Sequence, residues 1–402
     1  MSAAKIDLES SSAHNPAATG GGKSPRERIL LQPQDYVGSV EKCTREIWVC
    51  EGNSLRRRVV TYVPGLYKIF DEVLTYAADN KQRDPSMDSL RVQVDVDECR
   101  ISIYYNGQGV PIELHPDEGI YEPEMIFGHL SNYEEITGVK LANLFSTEFI
   151  IETVDSHLEK KYKQIFSGNM GKKSEPRITV CLQGVNWTKI IFKPDLAKFH
   201  MTHLDEDAIA LIRKRVVDVA SFLGTTVQVV FNGQRIQGLK NFPDYVLCYI
   251  SSASIERDER LPRICQRVND KLEVCVTRSE GTFQQVSFVN KFATNEGGTH
   301  VDYVANQIAA CIAKFCSKHF EVEETEVKKH LWVFVNAFME NPTFDSPTRD
   351  ALITPQESFG PRCELSDHFV KSVFQCIIGK LSPWNSSKDT KPSKRRRYCD
   401  SG

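Results

Sequence analysis

The chain has 402 residues, 41% of them hydrophobic and 26% charged, with a formal net charge of −3. That length suits two domains, each large enough to bury its own core, and the composition is that of a soluble globular protein. No apolar run approaches the roughly 18 residues needed to span a bilayer, and the N-terminal stretch lacks the apolar segment of a secretory signal.

In chain order, residues 1–26 read as a Ser/Gly/Ala-rich disordered tail without periodic pattern. The stretch "FDEVLTYAADNKQRDP" (70–85) belongs to an amphipathic helix over about 66–80, which brings Glu72, Tyr76, Asp79, Asn80 and Arg83 close together. The runs "RVQVDV" (91–96) and "RISIYY" (100–105) alternate as the strands of a hairpin, followed directly by the glycine loop "NGQGVP" (106–111). Short helices fit 122–130 and 139–146, and four strand-like runs come next: "FIIETV", "KYKQIF", "RITVCL" and "TKIIFK". A helix at 205–223 and a strand ending in the turn Asn232-Gly233 close this part. From about 262 the pattern gives two long strands, a third at 284–292, a long helix from Thr299, a buried strand "LWVFVNAFM" and a last helix at 364–380. Mostly hairpin-linked strands mixed with helices predict two layered α+β domains, 27–250 and 251–381, meeting near 245–262.

Two compositional features bear on setting. Twelve cysteines carry no CxxC pair, and Cys248 in "YVLCYI" and Cys275 in "LEVCV" sit in apolar runs. This predicts reduced, buried thiols in an intracellular compartment and neither disulfides nor zinc; Cys316 and His319 have a ligand-like spacing but no second pair. The last 21 residues (382–402) hold six Lys or Arg and two Asp, so the rest of the chain sums to −7. An acidic body does not advertise a broad phosphate-binding surface. The run "KPSKRRR" (391–397) in the basic, disordered tail reads as a nuclear import signal, a loose nucleic-acid contact or a solvated end.

The stretches "VTYVPGLYKIFDEVLTYAADNKQRDP", "NGQGVP", "EPEMIFGHL", "FQQVSFVN", "GGTHVDYV" and "HLWVFVNAFMENPTFDS" resemble the ATPase region of eukaryotic type II DNA topoisomerase, from about Arg28 to Trp384. The resemblance implies a two-layer nucleotide-binding domain of the kind shared by gyrase, MutL and histidine kinases. A transducer domain of ribosomal-protein-like fold is expected to follow it. It also implies ATP and Mg²⁺ as cofactors, and ATP-driven pairing of two such regions around DNA.

Position by position, the resemblance assigns Glu72 as general base on the attacking water. The family's Mg²⁺-ligating asparagine falls at Tyr76, a neutral phenol too bulky for a small octahedral ion, so no metal ligand is expected there. Asp79, Asn80 and Arg83 continue the same helix and are expected to bind the nucleotide. Asn106 stands where the family reads the base amino group, with Gly107 and Gly109 giving close backbone approach, and Thr188 in "NWTKIIFKPD" matches a threonine near the base. Asn132 in "LSNY" resembles a sugar- or phosphate-contacting asparagine, with the family's preceding Thr-Ser pair shortened to Ser131. The glycine-rich loop TGGRNGYGAK, whose amides wrap the β- and γ-phosphates, is reduced to Thr137-Gly138-Val139 before Lys140. The transducer QTK loop reads "DSPTRD", placing Pro347 and Arg349 there.

The exchanged N-terminal arm of the family is shortened in "GKSPRERILLQPQDYVGS", and the chain stops at Gly402 with no room for a cleavage domain. The expectation is a pseudo-ATPase without DNA cleavage activity. It would be a non-catalytic nuclear interaction protein, with the full-length topoisomerase or a weak dimer of itself as partner and DNA only indirectly. The alternative is a weak ATP-binding or ATPase module that contributes to DNA topological change.

Overall fold

The computed structural model describes residues 23–381 apart from positions 53, 131–135, 137, 183, 238, 258–259, 318–319 and 360–362. Alternation of apolar and polar residues in its longer strands builds a nine-stranded sheet. Its main path runs Gln228–Phe231, Ser89–Asp95, Arg100–Asn106, Trp187–Pro194, Ser146–Asp155, Lys160–Ser167; Gln234–Arg235 edges the first, and Lys172–Lys173 and Arg177–Val180 both pair with the last. Only the first neighbours, Gln228–Phe231 and Ser89–Asp95, are parallel.

The apolar set of these strands, among them Ile101, Ile103, Tyr105, Ile190 and Phe192, is buried in one cluster with Ile69, Phe70 and Val73 of the helix Pro64–Arg83. That helix forms because Pro64 pre-sets its first turn and apolar residues recur at 66, 69, 70, 73, 74, 77 and 78. It ends at Asp84, the residue before Pro85, where helical backbone is disfavoured. The helix Glu206–Leu223, N-capped by the Asp205 side chain on the Ala208 amide, packs beside it.

A second, five-stranded sheet runs Ile264–Arg267, Leu272–Arg278, Leu331–Ala337, Gln284–Val289, Phe292–Ala293. Leu331–Ala337 lies between an antiparallel and a parallel neighbour, which explains its nearly unbroken apolar run. Helices Thr299–Cys316 and Asp367–Leu381 close its core. None of the helices in the described residues is long and apolar enough to cross a membrane.

Several expectations need correction. The tail ends sooner than residue 26: Ser24 caps a helix Pro25–Leu31 in a capping box with Glu27. A hairpin, Cys43–Glu51 with Ser54–Tyr62, precedes the long helix. Its Trp48 stacks on Trp332 of the second sheet at 5.7 Å and meets Tyr249 edge-on at 5.0 Å. The boundary at 250/251 falls inside one helix, Phe242–Arg257, whose Tyr245, Tyr249 and Ile250 are wholly buried. Cys275 is not a free thiol: it faces Cys265 across the antiparallel pair with Cα atoms 4.0 Å apart, and a disulfide joins them. His319 and the basic run 391–397 lie outside the described residues.

His300, at the start of Thr299–Cys316, is fully buried; its Nε2 lies 3.1 Å from Thr294 Oγ1, and burial pulls the imidazole down to about 3. The unfolded chain takes up this proton near pH 6.5, whereas the folded chain resists it down to about 3. Stability should therefore fall as pH drops through that window, by about 1.4 kcal/mol per unit from this group. Urea unfolding of the protein and of His300→Gln at pH 7.5, 6 and 5 checks this. The variant should lose the part of the slope owed to His300, and an identical slope in both proteins would rule it out.

Candidate nucleotide-site region

The long helix presents Glu72, Tyr76 and Asp79 to a cavity bordered by Gly138, Lys140 and, from the second sheet, Phe292. Glu72 is 13% exposed, and its Oε1 takes two cations: the Lys68 ammonium one turn earlier and Arg349 Nη2 at 3.0 Å. Burial pulls the Lys68 ammonium below its usual range, with Glu72 acting against that pull. Oε2 abuts Gly138, where a Cβ would sit 1.9 Å from it, so only glycine permits this approach. Arg349 arrives from the 342–350 loop with φ +61°, its guanidinium 3.8 Å above the centre of the Phe292 ring.

Tyr76 is packed as an aromatic. Its ring meets Phe127 at 5.4 Å and Tyr105 at 6.5 Å, both edge-on, and the Arg83 guanidinium covers it at 4.7 Å. Burial raises the phenol, against Arg83, so it stays neutral and offers no anionic oxygen. Asp79 is paired with Lys291 at 3.0 Å. The carboxylates near the expected metal position are thus both engaged, and Mg²⁺ does not fit the donor set present.

At the base end, Asn80 Nδ2 donates to the Asn106 carbonyl at 3.2 Å. The Asn106 side chain is itself fully engaged: Oδ1 accepts from the Asp88 and Ser89 amides at 3.1 and 2.8 Å, and Nδ2 donates to Asp88 Oδ1 at 2.7 Å. It pins the start of a strand. Gly107 begins the loop with φ +95°. Thr188 Oγ1 lies 2.9 Å from Thr153 Oγ1, and a Cβ on Gly109 would meet Thr153 Oγ1 at 3.0 Å and the Val154 carbonyl at 2.9 Å.

A cavity of about 240 Å³ remains here, lined by Asn80, Arg83, Tyr105 and Gly109. A second, of about 480 Å³, is lined by Glu72, Asp79, Gly138, Lys140 and Phe292. Tyr76 and Ile126 line both and stand between them. Asn132, Ser131 and Thr137 lie outside the described residues; Gly138 and Val139 open the helix Gly138–Leu144.

The structure adds Lys68, Tyr105, Lys291 and Phe292 to the residues read from the sequence. Lys68 was findable from its four-residue spacing to Glu72. Lys291 and Phe292 come from a turn of the second sheet, and no local signal ties them to a helix more than 200 residues earlier.

The family profile described as DNA gyrase B matches residues 238–380. DNA topoisomerase 2 of Arabidopsis thaliana is 51% identical over an alignment that takes in 100% of this chain and 29% of that protein. Among solved structures, the ATPase region of Saccharomyces cerevisiae topoisomerase II superposes with a TM-score of 0.81 at 39% identity, covering 90% of this chain and 97% of that one. The ATPase and transducer domains of DNA topoisomerase II from Balamuthia mandrillaris give 0.81 at 37%, covering 94% and 100%. The chain thus spans under a third of its full-length relative and nearly all of the solved ATPase regions. On that coverage, the chain belongs to the type II DNA topoisomerase family as a homologue of its ATPase and transducer region.

Proposed function

We propose that this chain is a pseudo-ATPase: an ATPase-region homologue that does not hydrolyse ATP and acts by binding a partner in the nucleus. The observation that carries this reading is the state of Glu72. A general base must offer a carboxylate oxygen to the attacking water. Here Oε1 holds Lys68 and Arg349, and Oε2 is pressed against Gly138. Tyr76 adds a packed ring where a metal ligand would be needed, and "ITGVK" (136–140) supplies no glycine-rich nest for phosphates. We divide the chain into a nucleotide-binding-type unit through the helix ending at Arg257 and a transducer unit after it. The basic run 391–397 supports nuclear import.

A second reading, a weak ATP-binding or ATPase module, draws on the 240 Å³ cavity lined by Asn80, Arg83 and Gly109, which suits a base better than a triphosphate. Calorimetric titration with adenosine, ADP and ATP, with and without Mg²⁺, separates the two. The pseudo-ATPase reading expects no Mg²⁺-dependent gain in affinity, and tighter ATP binding in Mg²⁺ would favour the second reading.

The partner we propose is the ATPase region of a complete topoisomerase, or more weakly a second copy of this chain. Nucleotide can shift such an equilibrium only through different affinities for the two states. The phosphate-end residues that would supply that difference are altered here. Sedimentation should therefore give the same weak self-association with and without a non-hydrolysable ATP analogue. A monomer-to-dimer shift on adding the analogue would return the protein to the switching class.

A further inference from the structure

The nine-stranded sheet has a second face. Its apolar residues point to the helices, and the alternate positions point outward. Strand register places Arg91, Tyr104, Lys189, Glu152, Lys163 and Arg177 side by side in one row across six strands. At about 4.8 Å per strand the row is roughly 24 Å long. One step along, Trp187 and Lys161 flank Val154 in the neighbouring row. The Arg91 guanidinium lies 5.1 Å over the Tyr104 ring, the Lys161 ammonium 5.2 Å over Trp187, and the two rings are 5.9 Å apart.

The charge on this face is one-sided. Arg91, Arg100, Lys161, Lys163, Lys189, Lys193 and Arg177 stand on it against the carboxylates of Asp95, Glu148 and Glu152; Arg100 is paired with Asp95 at 3.6 Å and Lys193 with Glu98 of the adjoining turn at 2.7 Å. Glu152 is shared by Lys161 at 3.4 Å and Lys163 at 2.9 Å, while Lys189 and Arg177 have no ion-pair partner among the described residues. This face runs against the net −7 of the chain outside its basic tail, so the acidic total conceals it.

We propose that this outer sheet face binds single-stranded nucleic acid. Arg91, Lys189 and Arg177, the cations of the roughly 24 Å row outside the Glu152 pairs, match a phosphate backbone. Tyr104 and Trp187 supply ring faces for unstacked bases, which a duplex keeps inside its stack. The site is separate from the Glu72 region: on one strand, Thr188 points toward the buried side while Trp187 and Lys189 point outward.

Anisotropy of a labelled 20-nucleotide single strand, titrated with the full chain, tests this. Lys394, Arg395, Arg396 and Arg397 are changed to Gln throughout to remove the tail's contribution. Binding should persist in that background and favour the single strand over its duplex. Arg91→Ala with Lys189→Ala should weaken it about tenfold and reduce the slope of log K against log salt by about 1.4, from roughly 0.7 per phosphate contact. Trp187→Ala should weaken it about tenfold with little change in that slope, because stacking is not ionic. Three results would each overturn the proposal: no single-strand binding once the tail is neutral, equal affinity for duplex, or equally effective displacement by polyglutamate. So would affinity unmoved by the Arg91 and Lys189 changes.

Discussion

Incubated with ATP and Mg²⁺, the purified protein should release phosphate no faster than a protein-free control. Three separate lesions underlie this. The carboxylate that would activate water is held by Lys68 and Arg349. The helical turn after it carries the packed Tyr76, which offers no metal ligand. The stretch "ITGVK" (136–140) offers no glycine-rich run to wrap a triphosphate. Removing even one preorganised electrostatic contact costs about 100-fold in rate, so three together leave nothing measurable. Glu72→Ala should accordingly leave the background unchanged. Tyr76→Asn should fail to restore turnover, because it returns a possible ligand and leaves the triphosphate without a cradle. Arg349→Ala should fail as well, since it frees one side of Glu72 and leaves Lys68 in place. A coupled phosphate-release assay on these variants decides the matter. Mg²⁺-dependent release abolished by Glu72→Ala would defeat the claim. Recovery in Tyr76→Asn alone would make the tyrosine, not the loop, the decisive lesion.

Much of the fold was legible because periodicity carries it. The helix Pro64–Arg83 follows its apolar spacing, and the strands from Ser89 to Pro194 follow alternation. The hairpin Cys43–Tyr62 escaped because Arg56-Arg57-Arg58 interrupts its alternation, although the Gly52 turn was present. The helix Phe242–Arg257 escaped for the opposite reason: its first half is apolar almost all round and gives no stripe. At the site, the sequence named Glu72 and Tyr76, but their condition depends on long-range partners. Arg349 reaches Glu72 across 277 residues, and the Cys265–Cys275 bridge needs a strand register that composition alone does not supply.

Arg215 illustrates the same limit, and it carries the largest expected loss of stability. On a helix between Lys214 and Val216 it reads as an ordinary charged residue, yet its side chain is 0% exposed. Nε donates to Asp71 Oδ1 at 2.5 Å, Nη2 to Thr75 Oγ1 at 3.2 Å, and Nη1 to the Lys291 carbonyl at 2.7 Å. One guanidinium therefore ties the helix Glu206–Leu223 to the long helix and to the second sheet. Burial acts to discharge it, but Asp71 outweighs that and holds it firmly protonated. Asp71→Ala would leave this charge buried without its carboxylate, at a cost of about 3–5 kcal/mol. Arg215→Met on that background removes the stranded charge and should recover part of the loss, so the two changes should be clearly non-additive. Urea unfolding of both single variants and the double variant measures this. If Asp71→Ala costs less than about 1 kcal/mol, or the two losses simply add, the pair is not the buried tie between the two units described here.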